Sequence, residues 1–101
     1  MREERQLLTI IMTPDIEDTI LDWLLEQPDI ERFNSYHVKS FNKDHSNYTS
    51  LEKVTGWKRR IAVQIILTST SLHTVVEGMK IKFAHSNIDY RVSPFLDEGI
   101  L

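Results

Sequence analysis

Apolar side chains follow two rhythms along this chain. Residues 7–12, LLTIIM, form a short, nearly continuous apolar run that includes β-branched residues and stops at Thr13-Pro14, the pattern of a buried strand followed by a breaker. Thr13 suits an N-cap and Pro14 the first helical position, where its missing N–H costs nothing. Asp15, Glu17 and Asp18 place negative charge at the positive end of the helix dipole. Ile16, Ile20, Leu21 and Leu24 then recur at helical spacing, and the helix is expected to stop before Pro28. Trp23 and Leu25 lie off that stripe; packing of the helix flank on a sheet accounts for them, with a subunit contact as the alternative. Residues 33–41, FNSYHVKSF, alternate with a period of two. Tyr36 and Val38 share one side and Phe33, His37, Lys39 and Phe41 the other. The first pair suits a helix-covered face, which leaves the aromatic and basic set on the opposite one.

Residues 61–67, IAVQIIL, carry the strongest strand signal. Ile61, Val63, Ile65 and Leu67 share one side, while Ala62, Gln64 and Ile66 make the other half apolar, so this strand is expected to be covered on both faces. Thr68, Ser69, Thr70 and Ser71 offer N-caps for a second helix, in which Leu72, Val75, Val76, Met79 and Phe83 repeat at helical spacing. Gly78 inside it costs about 1 kcal/mol relative to Ala, and a close approach of the helix to the sheet would account for it. His85, Ser86 and Asn87 end the helix. Ile88, Tyr90 and Val92 alternate as a fourth strand, and Pro94 marks its end or a sheet edge. The tail FLDEGIL is half apolar, so Phe95, Ile100 and Leu101 are expected to dock.

The order strand, helix, strand, strand, helix, strand predicts one α+β domain over residues 1–101. The architecture is ferredoxin-like βαββαβ, a four-stranded antiparallel sheet with two helices on one face. The second sheet face then needs a cover. Phe33, His37, Phe41, Gln64 and Ile66 are assigned to it, and they predict self-association through that face.

Between the second and third strands lies a polar stretch, positions 42–60, NKDHSNYTSLEKVTGWKRR. Loops beyond about 12–15 residues are usually functional or disordered. This one carries a Trp, which a plain linker would not normally hold. Asp44, His45, Tyr48, Glu52, Trp57, Lys58, Arg59 and Arg60 are its candidate ligand or partner residues. The basic trio could face phosphates, or it could sit at the start of a solvated strand and pair with Glu52 or the acidic tail.

Charge and composition narrow the classes. The 101 residues hold 41% hydrophobic and 27% charged side chains, an ordinary globular balance, and a net charge of −3, which speaks against a nucleic-acid binder. With no cysteine there is no disulfide, thiolate metal site or Cys nucleophile. MREERQ has no apolar leader segment and no run approaches the ~18 residues of a membrane span, so the expectation is a soluble cytoplasmic protein, not itself inserted in a membrane.

With the pattern in hand, LLTIIMTPDIEDTILDWLLE and above all SLEKVTGWKRRIAVQIIL, residues 50–67, resemble the PII-like proteins, which include the nitrogen-regulatory PII signal transducers and the divalent-cation tolerance proteins. The nearest likeness is to a small PII-like family of about this length, some of whose members are encoded beside heavy-metal efflux systems. The resemblance spans nearly the whole chain. It implies a homotrimer with packed sheet faces and a long loop after the second strand, and a role in signal transduction such as nitrogen regulation. A partner of that kind would be a membrane transporter or another regulated protein. The resemblance also raises an adenine nucleotide as ligand, at a subunit cleft. Against that, the chain has three glycines, Gly56, Gly78 and Gly99, and no Gly-rich phosphate cradle. Tyr48 corresponds to a modifiable loop tyrosine of some PII proteins only in type, because its flanking residues differ.

Catalytic motifs are missing from the pattern. There is no His-x-x-x-His or Glu-x-x-His pair, and none of the serines sits in a G-x-S-x-G turn. The expectation is therefore not an enzyme. The four histidines are far apart in sequence. Imidazole suits Zn, Cu and Ni, so His45 beside Asp44, and His37 if three copies converge on an axis, are the candidate ligands for a divalent metal. The favoured function is a PII-like regulatory module whose long loop senses a small ligand or contacts a partner protein. A metal-binding protein tied to heavy-metal efflux or tolerance, and a small ferredoxin-like enzyme, remain the alternatives.

Overall fold

β1 (Arg5–Met12) is the strand on which the rest of the fold is assembled. In the computed structural model, which describes residues 4–101, it lies inside a four-stranded sheet of order β2-β3-β1-β4, with β2 (Asn34–Ser40), β3 (Lys58–Thr68) and β4 (Asp89–Pro94). All three pairings are antiparallel. Residues 1–3, the start of MREERQ, lie outside the described residues. α1 (Glu17–Leu25) follows a 3-10 turn at Pro14–Ile16. α2 (Ser50–Thr55) is a short helix in the long loop, and α3 (Ser69–Lys82) begins directly after β3. The ferredoxin-like βαββαβ order is thus present, with one added helix.

The core forms where the alternating apolar positions of the two central strands meet the helix stripes. Leu8, Ile10 and Met12 of β1 and Ile61, Val63, Ile65 and Leu67 of β3 pack with Ile20 and Leu24 of α1 and Val75, Val76 and Met79 of α3. Thr68 caps α3 by accepting the Ser71 amide. Phe95 packs under the Arg5 guanidinium, but Ile100 and Leu101 do not dock; they stand fully exposed.

Three further expectations are corrected. The register pairs His37 with Ile61 and Lys39 with Arg59, which puts both on the helix side of the sheet, and Phe33 packs against the core. Tyr36 and Val38, opposite Ala62 and Arg60, take the uncovered face instead. β2 is an edge strand with residues 34–37 exposed, so neither of its sides was apolar enough to declare itself. Phe41, one residue past β2, does lie on the open side, and Gln64 and Ile66 are half-buried there. Secondly, the loop is shorter than the polar pattern implied. Lys58, Arg59 and Arg60 begin β3, and their alternation splits the basic trio between faces.

Thirdly, Gly78 answers a helix, not the sheet. A Cβ there would lie 3.1 Å from the ring of Trp23, whose indole meets Phe83 edge-on at 5.6 Å. Trp23 therefore joins α1 to α3.

Candidate ligand and partner-binding site

The loop over positions 41–57 is built, turn by turn, by its own polar side chains. Asn42 accepts the Asp44 amide at 3.0 Å and Asp44 accepts the Ser46 amide at 2.9 Å, two successive Asx turns. The Ser46 amide and hydroxyl hold the Asp44 carboxyl below its usual range. This turn therefore keeps its anchor above the ordinary carboxylate pKa and loses it as pH falls through the depressed value. Tyr48 pins the same half of the loop back to β2. Its hydroxyl accepts the Asn42 amide at 3.1 Å and donates to the Ser40 carbonyl at 3.3 Å, and its ring stacks on His45 at 4.4 Å.

The second half of the loop is helical because Thr49-Ser50-Leu51-Glu52 is a capping box. The Glu52 amide donates to the Thr49 hydroxyl and the Thr49 amide to the Glu52 carboxylate. Glu52 is therefore a cap and pairs with none of the basic trio. Gly56 closes the helix with φ 83°, a left-handed position that suits glycine. Trp57 then sets the loop against β2, with the Lys39 ammonium 4.9 Å from its ring centre. The helix leaves two apolar side chains unburied, Leu51 and Val54, at 72% and 84% exposure.

Beneath the loop, against the open sheet face, is a cavity of about 710 Å³. Tyr36, Phe41, Asp44, Tyr48, Lys58, Arg60, Asp89 and Arg91 line it. Arg60 is a clamp. Its guanidinium donates to Asp89 at 2.8 Å and to the carbonyls of Asn87 at 3.0 Å and Ile11 at 3.3 Å, tying the start of β3 across β1 to the start of β4. Asn87 itself has φ 55°, a conformation Asn tolerates better than most residues. Arg60 is largely buried, with 16% of its side chain exposed, so Arg60→Ala is expected to cost about 2 kcal/mol in urea unfolding, because Asp89 and two carbonyls lose their donor. Arg60→Lys should recover only part of that, since one ammonium cannot reproduce a planar fork. Lys58 and Arg91 form no ion pair among the described residues, so they give the cavity its free positive charge.

The structure thus gathers Asp44, Tyr48, Lys58 and Arg60 around one cavity and leaves others apart. His45 is held by its stack on Tyr48, and His37 lies mid-strand on the helix side of β2. No group of three or more His, Asp or Glu side chains converges among the described residues. Arg91 and Asp89 were not singled out from the sequence. Their place depends on β4 pairing with β1, Arg91 opposite Thr9 and Asp89 opposite Ile11, which no local pattern announces.

Residues 3–101 match the model of a protein family described as protein of unknown function (DUF3240). The chain belongs to this family. A DUF3240 family protein from Shewanella baltica OS155 superposes with a TM-score of 0.78 over 99% of both chains, at 20% identity. The periplasmic divalent cation tolerance protein CutA from Archaeoglobus fulgidus gives 0.67 at 15% identity, covering 95% of this chain and 87% of that one. CPII, a nitrogen regulatory PII-like protein from Thiomonas intermedia K12 in complex with ADP, AMP and bicarbonate, gives 0.68 at 14% identity, over 95% and 96%. No curated protein sequence matches the chain. The DUF3240 fold is therefore the PII-like, CutA-like fold. No helix among the described residues is long and apolar enough to cross a membrane.

Proposed function

We propose that this DUF3240 protein is a PII-like regulatory binding protein, a homotrimer that senses a small anionic ligand beneath its 41–57 loop and passes the signal to a partner protein. It acts by binding, not by catalysis. The observation that supports the reading is the cavity under the loop: large enough for a nucleotide-sized molecule, walled by aromatic rings, and carrying Lys58 and Arg91, which have no ion pair among the described residues. The fold it shares with a PII-like protein that binds ADP, AMP and bicarbonate makes those three the first ligands to try. On the outer side of the same loop, Leu51 and Val54 offer a preformed apolar contact for a regulated partner, such as a membrane transporter, and a ligand that moved the loop would move them.

Isothermal titration of the full chain with AMP, ADP and bicarbonate tests this. At least one should bind with Kd below about 100 µM, and Lys58→Glu or Arg91→Glu should weaken it at least about tenfold. No heat from any of the three up to about 1 mM would remove the anion-sensing reading.

A further inference from the structure

The cleft between the C-terminal half of α3 and the edge strand β4 differs from the wet cavity under the loop. It encloses about 360 Å³, and half-buried Phe83 and Ile88 supply its apolar floor above the buried Leu8, Ile10 and Met79. Lys80 and His85 stand on its rim, and no carboxylate among the described residues lines it. Lys80 lies over the Tyr90 ring and bridges to Glu77 at 3.3 Å from outside the cleft. A site of this composition suits an aliphatic segment with an acidic flank.

The same chain carries such a segment at the far end of β4. Glu98 is clasped by Arg5 at 3.5 Å and Arg32 at 3.4 Å, while Leu96, Ile100 and Leu101 are 94%, 98% and 124% exposed. Three aliphatic side chains in six residues have nothing beneath them, and Asp97 lies among them. Within one molecule the two features cannot meet. The Glu98 clasp holds the segment beside Arg5 at the far end of β4, about 13 Å along that strand from Tyr90. Arg32 also draws the tail toward β2, the sheet edge opposite β4.

We propose that the α3–β4 cleft receives residues 96–101 of a second copy of the chain, Ile100 and Leu101 on the apolar floor and Asp97 toward Lys80 and His85. Each copy then gives a tail and receives one, a head-to-tail contact that closes into a ring when the rotation between copies allows. The proposal shares self-association with the reading above but needs neither the sheet-face contact nor an anion.

The absence of cysteine from the sequence makes a clean test. Ala84→Cys, on the cleft, and Ile100→Cys, on the tail, are made in separate full-length chains, mixed at tens of micromolar and oxidised with diamide. Both substitutions replace exposed side chains, so folding is retained. The control pairs Ile100→Cys with Asp18→Cys on exposed α1. A seated tail holds its partner position at an effective concentration in the millimolar range, so the 84–100 disulfide between chains should form at least about tenfold faster than the 18–100 one. Equal rates would overturn the proposal. Because no anion enters the assay, its failure is separate from a failure of ligand binding.

Discussion

Trp23→Ala is expected to lower stability by about 3–5 kcal/mol and the melting temperature by on the order of 15–25 °C. The indole sits between α1 and α3, edge-on to Phe83 and against the Gly78 backbone, and its removal opens a void that the two helices cannot close without leaving the sheet. Gly78 supplies an internal check. In the native chain a Cβ at position 78 meets the Trp23 ring at 3.1 Å, and Phe83 backs that ring, so Gly78→Ala should give no net gain despite the better helix former. In the Trp23→Ala background the obstacle is gone and the same change should stabilise by about 1 kcal/mol. Thermal unfolding of the four proteins followed by circular dichroism reads the sign change. If Gly78→Ala has the same effect in both backgrounds, the two residues are not coupled as described.

The second large effect is on assembly. The uncovered sheet face holds Leu7 and Ile66 at one end and, along the cavity, Tyr36, Val38 and Phe41, with Tyr36 and Phe41 at 43% and 71% exposure, so a trimer packed on this face would close the cavity at the subunit boundary. Sedimentation equilibrium of the native chain at tens of micromolar is expected to give a trimer, in which burying this face contributes several kcal/mol per subunit at roughly 25 cal/mol per Å². Ile66→Asp should give a monomer. Because Ile66 is only half-buried within one subunit, the far-ultraviolet spectrum of that monomer should be native. A native chain that sediments as a monomer would defeat the trimer, and a trimer that survives Ile66→Asp would move its interface off the sheet.

The elements were legible in the sequence wherever one face was strongly apolar. β1, β3 and α3 each carry buried positions at one period, and their placement followed from it. β2 was found as a strand but turned the wrong way, since an exposed edge strand records its parity only through its partner. The candidate site was legible in part, as a shared cavity. Asp44, Tyr48, Lys58 and Arg60 were picked out for their chemistry, and they share a cavity. Thr49-Ser50-Leu51-Glu52 spelled a capping box that predicts α2, and the polar surroundings hid it. Arg91 could not be found without the β1–β4 register, a pairing between the two ends of the chain.

That strand order also sets a timetable for synthesis. Leu8 pairs with Ile65 on one side and Val92 on the other, so β1 emerges first and waits for partners roughly 60 and 85 residues behind it. At about 5–20 residues per second the wait is on the order of 3–12 s for β3 and 4–16 s for β4, so LLTIIM has two open backbone edges until β3 appears and one until β4 does. The ribosome-bound nascent chain thus presents its most aggregation-prone segment longest, and whatever shields it in that interval, the ribosome surface or a chaperone, acts before the fold exists.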